Sequence, residues 1–192
     1  MKKLAVILLA SLTIFALTGC GSGKDSDASK EGEASKYSDA LEVMNAVLEV
    51  YTDDQRFAIA GGDSSNMTED APGKFDVSKT EELDYMLGLP ADQAAVIDDA
   101  ASMVHMMNAN TFTGAVYHLT EGTDVTAFAD AVKANILARQ WMCGFPDKLL
   151  IIDVDGRYVI TAFGEAGIME IFKTNALSAL SDAQVITEDP IL

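Results

Sequence analysis

Leu149-Leu150-Ile151-Ile152-Asp153-Val154-Asp155-Gly156-Arg157-Tyr158-Val159-Ile160-Thr161-Ala162-Phe163 reads as two β-prone runs joined by a two-residue turn. Asp155-Gly156 is the turn, because tight hairpins require positive φ at their central residues and Gly accepts it without steric cost. The runs are rich in β-branched and aromatic residues, which suit a pleated, buried surface. Immediately after them, Glu165 to Leu180 carries Ile168, Ile171, Phe172 and Leu180 at helical spacing. The unit is therefore strand, strand, helix.

The same order precedes it. Ala101 to Met107 and Phe112 to Leu119 are β-prone and flank Asn108-Ala109-Asn110-Thr111, a hairpin connection. Thr123 stands where a cap is expected for a helix whose Val125, Phe128, Ala129, Val132 and Ile136 fall on one face. Further back, Ala40, Leu41, Val43, Met44, Val47, Leu48 and Val50 form another helical stripe behind Ser38, its candidate cap. Between them, Gly61 to Asn66 and Pro72-Gly73 mark a long irregular connection. The expected fold is α+β: a four-stranded antiparallel sheet in ββα-ββα order, helices packed on one face, plus an N-terminal helix.

The N-terminus supplies an address. Lys2 and Lys3 precede Leu4 to Ala16, thirteen residues, and Leu17-Thr18-Gly19-Cys20 follows. A membrane-spanning helix needs about 20 apolar residues, so this stretch is too short to span and fits a signal peptide. Small residues before a cysteine make residues 1–19 a lipoprotein signal peptide and Cys20 the lipidation site, carrying palmitate-type acyl chains. Each buried methylene holds by about 0.8 kcal/mol, so two or three chains anchor the protein firmly. Residues 20–36, the lipidated Cys20 followed by GSGKDSDASKEGEASK, lack large apolar residues and read as a flexible linker. Residues 37–192, about 155 residues, suit a single globular domain. The expected localisation is the extracytoplasmic face of the cell membrane.

Charge narrows the partners. The chain has 13 Lys plus Arg against 30 Asp plus Glu, a formal net charge of −17. Removal of residues 1–19 takes Lys2 and Lys3 and no acid, leaving −19. Nucleic acid is excluded, since phosphate recognition rests on clustered cations. The expected partners are the membrane, through the lipid, and an envelope protein or small ligand.

Arg139-Gln140-Trp141-Met142-Cys143-Gly144-Phe145-Pro146-Asp147-Lys148-Leu149, leading into the Asp155-Gly156 hairpin and Phe163-Gly164, resembles the domain-of-unknown-function 4358 family. The resemblance covers Leu83 to Leu180. It implies an exported, lipoprotein-type protein with a small domain, and it brings no catalytic residue to this chain.

Candidate chemistry is sparse. Met103, His105 and Met107 alternate, so a strand would point two thioethers and an imidazole one way, with same-face neighbours about 6.8 Å apart. These are soft-metal ligand types suited to Cu(I), and they form the alternative metal-site reading. The plainer account makes the two methionines core fillers beside an ordinary strand histidine. With the hairpin turning at Ala109-Asn110, His105 faces Gly114 and His118 lies about 14 Å away, too far to share an ion. Cys143 is the thiol left after lipidation; it follows a helix C-terminus, whose dipole does not favour a thiolate, and is expected to be packed and inert. Asp153-Val154-Asp155-Gly156 is a hairpin corner, since Tyr158 and Gly164 occupy the places where a calcium loop needs Gly and an acid. No serine elbow, zinc cluster or phosphate loop appears, so no cofactor and no catalytic residue are expected. The leading expectation is a non-enzymatic binding or interaction domain. A Cu(I)-binding lipoprotein is the alternative, followed by a solute-binding component of a transporter or a single-thiol enzyme using Cys143.

Overall fold

The computed structural model describes residues 35–191, all within one unit. The elements run α1 (Ala40–Glu49), β1 (Ile59–Gly61), β2 (Thr68–Glu69), β3 (Gly73–Lys74) and α2 (Thr80–Glu82), which a π turn over Leu83–Leu87 continues. Then follow β4 (Ile97–His105), β5 (Phe112–Leu119), α3 (Val125–Leu137), β6 (Lys148–Val154), β7 (Tyr158–Gly164), α4 (Ala166–Ala179) and β8 (Ala183–Pro190).

Among the described residues the sheet has eight strands, all neighbours antiparallel: seven in the order β2-β1-β4-β5-β7-β6-β8, with β3 off this path and paired to β4. β5 lines one edge of β4, and two short strands share the other: β1 opposite Val104 and His105, β3 opposite Ala101 and Ser102. The expected four-stranded sheet of ββα repeats is therefore overturned. So is the placement of helices on one face. α1 and α4 cover one side, burying Val43, Met44 and Val47 with Met169, Phe172 and Ala176 against Met103, Val116, Ile152 and Ile160. α3 and the Leu83–Leu87 turn cover the other, burying Phe128, Val132, Ile136, Leu83 and Leu87 against Tyr117, Ile151 and Val159. All seven residues of β7 are buried. A strand covered on both sides is apolar throughout instead of alternating, and the uninterrupted run Leu149 to Ile152 carries that signature.

Local chemistry explains the element ends. Asp39, not Ser38, caps α1, its carboxylate accepting from the Glu42 N–H at 2.8 Å, while Ser38 donates to the Glu42 carboxylate through both N–H and hydroxyl. Asp124, not Thr123, caps α3 by accepting from the N–H groups of Thr126 and Ala127. A carboxylate there satisfies orphan donors and meets the positive end of the helix dipole. The β6–β7 turn has φ 55° at Asp155 and 75° at Gly156, but Val154 pairs with Tyr158, so the connection holds three residues, Asp155, Gly156 and Arg157, one more than the two-residue turn expected. β8 has an amphiphilic, half-exposed sequence with no clear alternation; its backbone pairs with β6, and Glu188 bridges Lys148 at 2.8 Å and Lys173 at 2.7 Å.

In the β4–β5 hairpin Met103 pairs with Gly114. His105 does not face Gly114: the turn is closed around Ala109-Asn110 by the Thr111 N–H donating to the Asn108 carbonyl at 2.9 Å, but β4 ends at His105 and the register beyond the turn is shifted by two residues along β4. Asp99 pairs with His118. Six residues, about 20 Å of strand, therefore separate the two histidines. At the other end of the chain the last linker residues are fastened to the domain: Ser35 donates to Asp155 at 3.0 Å and Lys36 to Ser181 at 3.0 Å. Among the described residues no helix is long and apolar enough to cross a membrane. Residues 1–19 and Cys20 lie outside the described residues.

Candidate functional site

A cavity of about 260 Å³ opens between the end of α1, β1 and β4, lined by Leu48, Tyr51, Arg56, Phe57, Ile59, Asp70 and Met103. Each wall has a cause. Leu48 and Tyr51 lie where α1 closes, with the Tyr51 N–H donating to the Leu48 carbonyl at 3.2 Å. Ile59 stands in β1, opposite His105. Phe57 is held between two rings: it stacks on His105 at 5.4 Å and 14°, and meets Phe112 edge-on at 5.4 Å. Such contacts fix the ring in place. Asp70 follows β2 with φ 56°, and its N–H donates to the Ile59 carbonyl at 2.9 Å.

The polar groups of this site fall into two sets. Arg56 and Asp70 are exposed at its rim. Arg56 donates to the Leu48 carbonyl at 3.2 Å, close to the negative end of the α1 dipole. The Tyr51 hydroxyl is buried beside Asn175 and, among the described residues, has no partner in hydrogen-bond geometry. Burial pushes its pKa up, so it is a neutral phenol at every ordinary pH.

The three residues of the soft-metal reading are dispersed. Met103 is fully buried in the α1/α4 core and contributes to the cavity wall. His105 supports Phe57 from behind, and its Nδ1 accepts from the N–H groups of Met107 at 3.2 Å and Asn108 at 3.4 Å. β4 ends at His105, so Met107 leaves the alternation and is 83% exposed. The strand pattern that would have aligned all three stops one step short. Among the described residues no group of three or more His, Cys, Asp or Glu side chains is placed to hold a metal ion.

Cys143 is exposed, which corrects the expectation of a packed thiol. It has φ 64° in the loop between α3 and β6, and that loop is bound to the β4–β5 turn. Asn108 donates to the Cys143 carbonyl at 3.0 Å, and Asn110 to the carbonyls of Met142 at 2.8 Å and Gly144 at 2.9 Å. With its backbone committed to that clamp, the segment turns Met142, Cys143 and Phe145 outward. His118 contacts Asp98 and packs on Tyr158 with ring centres 4.7 Å apart. The Asp153 carboxylate accepts from the Gly156 N–H at 2.9 Å, a hairpin contact.

The Gly61 to Asn66 loop is a built structure. Asp63 is buried, paired with Lys79, and accepts from the N–H groups of Ser65 at 2.8 Å and Asp76 at 3.2 Å. Its carboxyl is held far below the usual range, chiefly by the Lys79 hydrogen bond, against the opposing effect of burial. Ser102, on β4, closes the loop by accepting from the Gly62 N–H at 2.9 Å and donating to the Gly62 carbonyl at 3.1 Å.

Sequence reasoning did not find the cavity. Arg56, Phe57 and Asp70 lie in segments without periodicity, and only Leu48, Tyr51 and Met103 belong to or adjoin recognised elements. No protein-family model, curated protein or solved structure matches this chain.

Proposed function

We propose that this protein is a lipid-anchored extracytoplasmic binding domain, tethered at Cys20, that holds a small ligand or partner at the cell envelope without transforming it. The observation that carries the binding part is the cavity between α1, β1 and β4, whose walls are fixed by packing and whose rim presents charge. Concave, mostly apolar, preformed sites with a few polar groups are the usual form of small-molecule sites. At about 260 Å³ this one lies just below the range for drug-sized ligands, so its occupant is small. The anchoring part rests on Leu17-Thr18-Gly19-Cys20 and its preceding apolar stretch.

Both parts have direct tests. Metabolic labelling with palmitate should mark the wild-type chain and leave Cys20→Ala unlabelled and released from membranes. Labelling that persists in Cys20→Ala refutes the anchor. Photo-crosslinking on intact cells from a probe at Leu48, beside the cavity, should capture a species lost when the cavity is blocked by Ile59→Trp. Failure to capture any species from a correctly anchored, folded chain refutes the binding role.

A further inference from the structure

The geometry points to a small zwitterion with an apolar body, an apolar α-amino acid, as the occupant of the cavity. This rests on the binding role proposed above and goes beyond it by naming the ligand class. Arg56 and Asp70 line the same small cavity, yet among the described residues neither forms an ion pair, with each other or with any other side chain. Elsewhere on this surface opposite charges are paired, as Lys148 and Lys173 are with Glu188. A cation and an anion that line one cavity without pairing match a ligand that carries the complementary pair.

Both rim residues are anchored to the cavity wall, Arg56 through its guanidinium and Asp70 through its backbone N–H. Arg56 is fastened to the Leu48 carbonyl by one of its five N–H groups, which leaves the others for a carboxylate. Asp70 is fixed by its N–H to Ile59, itself a wall of the cavity, which leaves its carboxylate free to accept an ammonium. Below the rim, Phe57, Ile59 and Met103 offer an aromatic, a branched and a thioether surface, suited to an aliphatic or aromatic side chain. A purely apolar guest would leave both charges unanswered. A singly charged guest would answer one.

The test is isothermal titration calorimetry of the full chain in mild detergent with L-leucine and its two half-molecules, isoamylamine and 4-methylpentanoate. L-leucine should bind at least about tenfold more tightly than either half-molecule, each of which forfeits one charge-assisted contact. Arg56→Gln should weaken L-leucine and 4-methylpentanoate and leave isoamylamine unchanged; Asp70→Asn should weaken L-leucine and isoamylamine and leave 4-methylpentanoate unchanged. Both substitutions lie on the exposed rim, and unchanged thermal unfolding verifies that the fold is intact. Equal affinity for all three compounds, or binding unaffected by either substitution, overturns the zwitterion assignment while the binding role stands. Absence of L-leucine binding at millimolar concentration also overturns it, and the crosslinking experiment at Leu48 then decides the binding role independently.

Discussion

Ser102→Ala is the most informative single perturbation of the framework around the cavity. Ser102 is fully buried, and its hydroxyl serves both backbone groups of Gly62, accepting from the N–H at 2.9 Å and donating to the carbonyl at 3.1 Å. Gly62 is itself buried, with φ 89°. Alanine removes one oxygen and orphans two backbone groups. Each buried group left without a partner costs about 1–3 kcal/mol, and removing the hydroxyl returns part of its own desolvation cost, so the net loss is about 2–4 kcal/mol. For a domain of this size 1 kcal/mol moves the midpoint by about 2–4 °C, which puts the Tm of Ser102→Ala about 5–15 °C lower. Circular dichroism melts of the two proteins side by side measure it. Ser102→Cys, with a weak donor and weak acceptor, should fall between them. A Tm within about 2 °C of wild type would refute the view that Ser102 holds the Gly61 to Asn66 loop to β4.

Four further outcomes follow from the same geometry. Because the folded Asp63 carboxyl is held below its unfolded value, its stabilisation is complete above about pH 4 and is lost as pH falls through the folded value; the urea midpoint gap between wild type and Asp63→Asn should narrow from about pH 6 to about pH 3. An equal gap at both pH values would contradict the Lys79 pairing. Tyr51→Phe removes a buried hydroxyl that lacks a partner, so stability should be unchanged or higher by up to about 1 kcal/mol in chemical denaturation. In a Cys20→Ala background Cys143 is the remaining thiol, and it should react with Ellman's reagent in the folded protein nearly as fast as in urea; strong protection would contradict its exposed position. A Cβ added at Gly73 would lie 2.6 Å from the backbone of Gly61 and Gly62, so Gly73→Ala should destabilise by about 1–3 kcal/mol in the same melts.

The strands and helices of the second half were legible because their signals are local. Asp155-Gly156 dictates a twisted turn wherever it occurs between β-prone runs, and the Phe128, Val132, Ile136 spacing makes one apolar face on any helix. The caps stand one residue beyond the expected Ser38 and Thr123, at Asp39 and Asp124, since adjacent polar residues all suit a helix start and the final choice depends on backbone geometry. The strands β1, β2 and β3 are two or three residues long, too short to show any period, and β8 is half exposed along an edge. These four strands doubled the expected sheet. The alternation expected through Met103, His105 and Met107 meets a similar limit: it holds only while β4 lasts, and β4 ends at His105.

By itself the sequence determined what needs only neighbours along the chain: the α+β class, the hairpin at Asp155-Gly156, the helical stripes, the acidic charge and the cysteine motif at Cys20. Only the tertiary structure decided how many strands join the sheet, which faces the helices cover, that Cys143 points outward, and that Arg56, Phe57, Asp70 and Met103 surround one cavity. The physical reason is range. Turn and helix preferences are set by steric and hydrogen-bond terms within a few residues, whereas edge pairing, two-sided burial and a shared rim arise between segments tens of residues apart, where no local pattern records the partner.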